Sequence, residues 1–295
     1  MSDCIQILTS DWKDYELLDS GYGQKLERFG QQVVIRGETK AWWGPSLGKE
    51  HWDRACAIHQ NDAKWRFLKK DCAQEWILGY KNLKLSAKFF NTSKHLGVFP
   101  EQSPNWDWMS RQISHQKHRQ LSVLSLFGYT GVASLVAANA GASVTHIDAS
   151  KPAITWAKNN QNLSQFNDKP IRWILDDAKK FISREIKRGR KYDAIIMDPP
   201  SFGHGPTGEI WKIEKDLLSL LNDCKKILSE NPAFIIITLY ALDASSIMIR
   251  NLLSEFMKDF KGTTEIGELA VRHSSSNKLL PLSLFGRWSG CGHIP

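Results

Sequence analysis

Long apolar runs are missing from this chain of 295 residues, and so are the cysteine and histidine patterns of metal sites and disulfide scaffolds. The longest apolar stretch, Ala233 to Leu242, is broken by Thr238 and is far too short to cross a bilayer. No membrane partner is therefore expected. The five cysteines (Cys4, Cys56, Cys72, Cys224 and Cys291) contain no Cys-x-x-Cys pair and are odd in number, which fits free thiols in a reducing cytoplasm. The nine histidines include no His-x-x-x-His and no Cys/His cluster, so neither a structural nor a catalytic metal is expected. The first residues, Met-Ser-Asp-Cys-Ile-Gln, lack the basic-then-apolar order of a secretory signal. Internal repeats and low-complexity segments are absent as well.

What remains is ordinary for a globular protein: 42% hydrophobic and 24% charged residues. The net charge of +8 is a modest footprint for a polyanionic partner, and equally a device for solubility. The composition shifts along the chain. Eight of the twelve tryptophans (Trp12, Trp42, Trp43, Trp52, Trp65, Trp76, Trp106 and Trp108) precede residue 110. There Leu83, Leu85, Ala87 and Phe89 alternate with polar neighbours, as in a half-buried strand, and Gln32–Arg36 reads as another. Residues 1–105 are thus expected to form a small Trp-rich antiparallel β region, a candidate for substrate binding and a lid. Its tryptophans are read first as core packing, with base stacking as the alternative if several face solvent. A helix is expected near 106–116.

From Gln120 onward strands alternate with helical stretches, so 106–295 reads as an α/β domain with a mostly parallel sheet. Crossover helices are expected over Thr130–Ala140, Ser150–Leu163 and Ala178–Lys187. A helix near Ile213–Leu228, a strand at Ala233–Leu239, a helix near Ala244–Lys258 and two closing strands follow. Four apolar runs stop abruptly at Gly or Asp: Leu121 to Gly131, Ser143 to Asp148, Ile174 to Ala178, and Asp193 to Gly203. Ligands of parallel sheets bind outside the carboxyl ends of the strands, so these endings are expected to line one crevice.

Each ending suggests a chemistry. Phe127-Gly128-Tyr129-Thr130-Gly131 is a strand-to-helix turn whose amides can hold a negative group. A dinucleotide fingerprint, Gly-x-Gly-x-x-Gly, would leave room for pyrophosphate where Tyr129 and Thr130 stand, which argues against a nicotinamide- or flavin-dependent oxidoreductase. Bulk is tolerable for a ligand presenting only a carboxylate. Asp148, twenty residues after Gly128 and followed by Ala149 and Ser150, can accept both hydroxyls of a ribose; the alternative is a helix cap. Of the next pair, Asp176 is assigned to capping the following helix, and Asp177, with Ala178, to the amino group of an adenine. Asp198-Pro199-Pro200-Ser201-Phe202-Gly203 fixes an extended backbone at the crevice. Asp198 and nearby carbonyls can hold a base by its N–H groups, with Phe202 stacked on it. Seven basic residues between Lys179 and Lys191 read as a solvated helix face or, less simply, as a phosphate track.

Six stretches together resemble one family: Lys25-Leu-Glu-Arg-Phe-Gly30, His95-Leu-Gly-Val-Phe-Pro-Glu-Gln102, the Phe-Gly-Tyr-Thr-Gly turn, Asp148-Ala-Ser150, Trp156-Ala-Lys-Asn-Asn160 and Asp-Pro-Pro-Ser-Phe. The chain resembles the class I S-adenosylmethionine-dependent methyltransferases, and among them the Rlm-type bacterial enzymes that methylate large-subunit ribosomal RNA. The resemblance implies a Rossmann-like sheet of seven strands with the last antiparallel, S-adenosyl-L-methionine as methyl donor, and an RNA base, ribosomal RNA foremost, as acceptor. It also implies that His95 to Gln102 packs beside the donor. Relatives acting on cytosine C5 use a cysteine after the fourth or fifth strand; here those places read Asp198-Pro-Pro-Ser201 and Thr238-Leu-Tyr-Ala241, so direct transfer is expected. A protein or small-molecule acceptor, and a non-catalytic RNA-binding protein, are the remaining alternatives.

Overall fold

The computed structural model describes residues 5–8, 12–59, 64–90, 93–116, 118–240 and 242–290. Cys4, Cys291 and Ala241, named above, lie outside them. The chain divides into two compact units: one holds 105–268 with the stretch from Ser283, the other 7–104 with 269–282. No helix among the described residues is long and apolar enough to cross a membrane.

The main sheet is built on seven strands: β1 (Ser122–Leu126), β2 (Ser143–Asp148), β3 (Ile171–Leu175), β4 (Ala194–Met197) and β5 (Phe234–Leu239), all in the larger unit, and β6 (Gly262–Arg272) and β7 (Leu279–Gly290), whose residues 269–272 and 279–282 are counted with the other. Their order in the sheet is β6-β7-β5-β4-β1-β2-β3, and the strand Ile5–Leu8 joins beside β6 as an eighth, at the edge. The pairs β1–β2, β2–β3, β1–β4 and β4–β5 are parallel, whereas β7 runs antiparallel to β5. The α/β architecture read from the sequence is the one observed. Every residue of β5 is buried, as in a strand covered on both faces.

The helices are α1 (Ser103–His115), α2 (Val132–Asn139), α3 (Lys151–Leu163), α4 (Ala178–Lys187), α5 (Ile213–Lys226) and α6 (Ser246–Phe256). Leu124, Ile147, Ile195 and Ile235 of the sheet share one core with Phe181 and Ile182 of α4, Leu217 and Leu221 of α5, and Ile249 and Leu253 of α6. Apolar side chains three and four apart put one stripe of each helix on the sheet. Ser150 starts α3 as expected, its hydroxyl accepting from Ala153 N–H at 3.3 Å with Pro152 in the first turn.

In the other unit Tyr15–Gly21, Gln24–Phe29 and Gln32–Gly37 form an antiparallel ladder. The region is antiparallel as expected except at one pairing: Ala57–His59 runs parallel to Gln32–Gly37, because the connection passes through a short helical turn, Lys49–Trp52, instead of a tight hairpin. Glu75–Tyr80 and Leu83–Lys88 make a separate hairpin. In the ladder Glu27 is fully buried; it accepts from Arg36 Nε and Nη2 at 2.6 and 2.7 Å and from Tyr15 Oη at 3.0 Å. Burial would raise its pKa, but Arg36 and Lys25 outweigh burial and hold the carboxyl at about 2. Packing accounts for most of the tryptophans: Trp12, Trp106 and Trp108 are buried and Trp42 is the tryptophan that stands open. The expectation of free thiols is also corrected. Cys56 and Cys72 form a disulfide with Cα atoms 5.4 Å apart, because the chain after Trp65–Phe67 folds back on Cys56, whose carbonyl accepts from Leu68 N–H. A separation of sixteen residues carries no sign of that return.

Candidate active site

Parallel register gathers the strand endings. Leu126 lies opposite both Ile147 and Met197, Asp148 opposite Leu175, and Met197 opposite Ile237. Gly128, Asp148, Asp177 and Asp198 follow those positions within three residues, so one edge of the sheet carries all four.

The turn after β1 is held in an uncommon shape. Phe127, Tyr129 and Gly131 have φ of 55°, 51° and 81°, a left-handed region that side chains other than glycine seldom occupy. Several contacts over-determine it. Gly128 N–H donates to Ile147 O at 3.1 Å, and Tyr129 N–H to Asp148 Oδ2 at 2.8 Å. The buried Thr130 carbonyl accepts from Asn160 Nδ2 at 3.0 Å. Gly131 then serves as N-cap of α2, where a Cβ would stand 2.8 Å from the Trp173 ring. The Trp156-to-Asn160 stretch therefore braces this turn, with Trp156 packed 6.2 Å from the Tyr129 ring.

Asp148 is the hub. Its second oxygen accepts from Ser150 N–H at 2.8 Å, across Ala149, while Asp176 N–H reaches the Asp148 carbonyl at 3.1 Å. Burial raises its pKa and the two amide donors oppose that rise. Asp177, not Asp176, caps α4: its Oδ1 accepts from Lys180 N–H at 2.9 Å, and Ala178 is buried in the first turn. Asp176 instead forms an ion pair with Arg184. Asp177 has the extended backbone a cap needs (φ −72°, ψ 133°), whereas Asp176 is still tied to the strand end.

After β4, Asp198 is half-buried and Pro199 buried. Thr238 of β5 donates to Asp198 Oδ1 at 2.6 Å, a partner that sequence reasoning did not find although Thr238 interrupts an otherwise apolar strand. The Pro200 carbonyl is committed to Trp211 Nε1 at 2.7 Å, which removes it from the acceptors offered to a ligand. Phe202 is 51% exposed. Gln102 and the rest of His95–Gln102 belong to the other unit, where Pro100–Gln102 forms a buried 3-10 turn. Cys224 is fully buried in α5, and burial pushes its thiol pKa far up. Of the basic group, Lys179 pairs with Asp216, Lys180 with Glu209, Arg184 with Asp176 and Arg188 with Glu185, which favours a solvated helix face.

This edge fits the donor implied by the resemblance. Asp148 suits a ribose diol and Asp177 an amino group; the Gly128, Tyr129 and Gly131 amides are engaged within the protein, and the two glycines let the turn lie against His146 and Trp173, whose rings a Cβ would overlap.

Comparison with known proteins gives the same direction. Residues 105–237 match the family model described as conserved hypothetical protein 95. A solved S-adenosylmethionine-dependent methyltransferase from Agrobacterium tumefaciens is 42% identical over 97% of this chain and 93% of its own, with a TM-score of 0.92. A candidate methyltransferase of the same donor class from Streptococcus mutans shares the fold at 19% identity, over 95% of this chain and 76% of that one, with a TM-score of 0.71. The ribosomal RNA large subunit methyltransferase K/L of Colwellia psychrerythraea is 26% identical over 68% of this chain; that of Pseudoalteromonas atlantica is 31% identical over 54%. The chain spans only 27% and 20% of those two relatives' lengths.

Proposed function

The chain belongs to the S-adenosylmethionine-dependent methyltransferases, and we propose that it moves the methyl group directly onto a base of ribosomal RNA, in the cytoplasm. The observation that carries the reading is Asp198, fixed by Thr238 and followed by two prolines, at the same sheet edge as the glycine turn and Asp148. The relatives named for large-subunit ribosomal RNA support the choice of acceptor.

When bound, S-adenosylmethionine supplies an electrophilic methyl on a sulfonium. The chain's task is positioning, which can supply much of the rate in an in-line displacement. Phe127 to Gly131 hold the donor's carboxylate, Asp148 with Ala149 and Ser150 its ribose, and Asp177 with Ala178 its adenine. Gln102 is assigned to the donor by resemblance. Asp198, with the Pro199 backbone beside it, grips an N–H of the base and accepts any proton the methylated atom gives up, while Phe202 stacks on the ring. These residues hold the acceptor's lone pair toward the methyl carbon, which the bound donor supplies while keeping the carbon–sulfur electron pair. No cysteine adduct is involved.

Ribosomal RNA from cells with and without the gene, digested and compared by mass spectrometry, tests this. One methylated nucleoside should vanish with the gene and return when the purified protein and donor are added. Identical nucleoside profiles would overturn the RNA reading.

A further inference from the structure

Four residues beyond Asp198 the chain forms a two-stranded hairpin, Phe202–His204 against Ile210–Lys212. The register sets Phe202 opposite Lys212, Gly203 opposite Trp211 and His204 opposite Ile210. Side chains alternate along a strand, and directly opposed residues share a face. One face therefore carries Gly203 and Trp211, the other Phe202, His204, Ile210 and Lys212.

The two faces are treated in opposite ways. Trp211 is 5% exposed, packs 5.0 Å from the Phe127 ring and donates to the Pro200 carbonyl. Glu209 closes the turn, its carbonyl accepting from Gly205 N–H at 2.8 Å and its carboxylate engaging Lys180 and Thr207. Strands of three residues are not stable alone, so these anchors hold the hairpin in place. On the other face all four side chains are exposed, Phe202 by 51% and Ile210 by 61%, with the Phe202 and His204 rings edge to face at 5.0 Å. A rigid element that keeps apolar surface in water usually marks a binding surface.

We propose that this face is a nucleotide platform that holds the single-stranded RNA next to the methylated base. The proposal rests on the RNA reading above and extends it from the target base to its neighbour. Ring faces and a flat aliphatic side chain accept any base by stacking, and a cation beside them meets the phosphate. The chemistry is one-sided. Lys212 contributes a positive charge, none of the four side chains of this face is acidic, and the nearby carboxylates are paired: Glu209 with Lys180, and Asp216, which accepts from Lys212 N–H, with Lys179. The platform is also continuous with the site, since Trp211 ties it both to the donor turn and to the Asp-Pro-Pro loop.

The test replaces the exposed residues that the methyl-transfer reading does not use: His204→Ala, Ile210→Ser and Lys212→Ala, singly and together. Melting temperature and S-adenosylhomocysteine titration report folding and donor binding, which should be unchanged. The triple variant should bind ribosomal RNA fragments at least about tenfold more weakly, with KM raised and kcat nearly kept. Lys212→Ala alone should reduce the slope of log affinity against log salt by about one. If the unaltered protein methylates RNA and the triple variant does so with the same KM, the platform is wrong and the RNA reading stands. If the unaltered protein neither binds nor methylates RNA, both fail. If it sediments as a dimer that the triple variant cannot form, the face belongs to a second copy and the platform is likewise overturned.

Discussion

Gly128 lies flat against the imidazole of His146, so close that a Cβ would overlap the ring. His146 is buried in β2 and its Nδ1 is 2.9 Å from Ser134 Oγ of α2, so one side chain supports the turn from below and the helix that follows it. Gly128→Ala should lose about 1–3 kcal/mol of stability, the cost of overpacking, and weaken donor binding as the turn shifts. Thermal melts and S-adenosylhomocysteine titration measure both. Adding His146→Ser to Gly128→Ala should recover part of each loss; a double variant as impaired as the sum of the singles would refute the contact.

The same histidine sets an acid limit. Burial lowers the pKa of His146 to about 3, and burial, with Arg36 next, lowers that of His95 to about 3. Each binds its proton more readily unfolded, where the pKa is about 6.5. Their stabilising effect is therefore complete above about pH 6.5 and is lost as pH falls toward 3, at up to about 1.4 kcal/mol per pH unit each. Glu27, held at about 2, adds a second loss as pH drops through the ordinary carboxylate range. Urea unfolding between pH 5 and 8 should show stability falling on the acid side, and His146→Gln should make that fall shallower. An unchanged slope in the variant would show that His146 does not titrate on unfolding.

The strand ends were legible because a strand buried on both faces can only be an unbroken apolar run, and where it stops the site begins. Ser150 was legible as a cap for a similar reason: Pro152 fixes the frame of the first turn. The cap was assigned to Asp176 and falls on Asp177, since two adjacent carboxylates look alike and only the backbone angles decide which one caps α4. The parallel pairing of Gln32–Gly37 with Ala57–His59, and the Cys56–Cys72 bridge, join parts of the chain by folds that leave no local pattern. The Phe202–Lys212 hairpin was missed because its strands are too short for periodicity, although Gly205-Pro-Thr-Gly208 between them is a turn signal.

Asp148 joins three parts of the donor site, so its removal should act on binding. Asp148→Ala loses the ribose contacts and frees the Tyr129 and Ser150 amides, and should weaken S-adenosylhomocysteine by about 1.5–3 kcal/mol. Calorimetry on the folded variant measures it. Affinity equal to that of the unaltered protein would take Asp148 out of the site.

The last expectation separates positioning at Asp198 from covalent catalysis. Asp198→Ala should lower turnover roughly 10²-fold or more while donor affinity stays within about twofold, because the donor contacts are assigned to other strand ends. Thr238→Val keeps the carboxylate but removes the hydrogen bond that orients it, so its loss should be smaller, roughly tenfold, and fall on kcat. Cys224→Ala should leave the rate intact, since that thiol is buried and kept protonated. Single-turnover assays with labelled donor and a ribosomal RNA fragment give all three values. A rate that survives Asp198→Ala but disappears with a cysteine substitution, together with RNA trapped covalently on the protein, would replace direct transfer with attack by a thiolate.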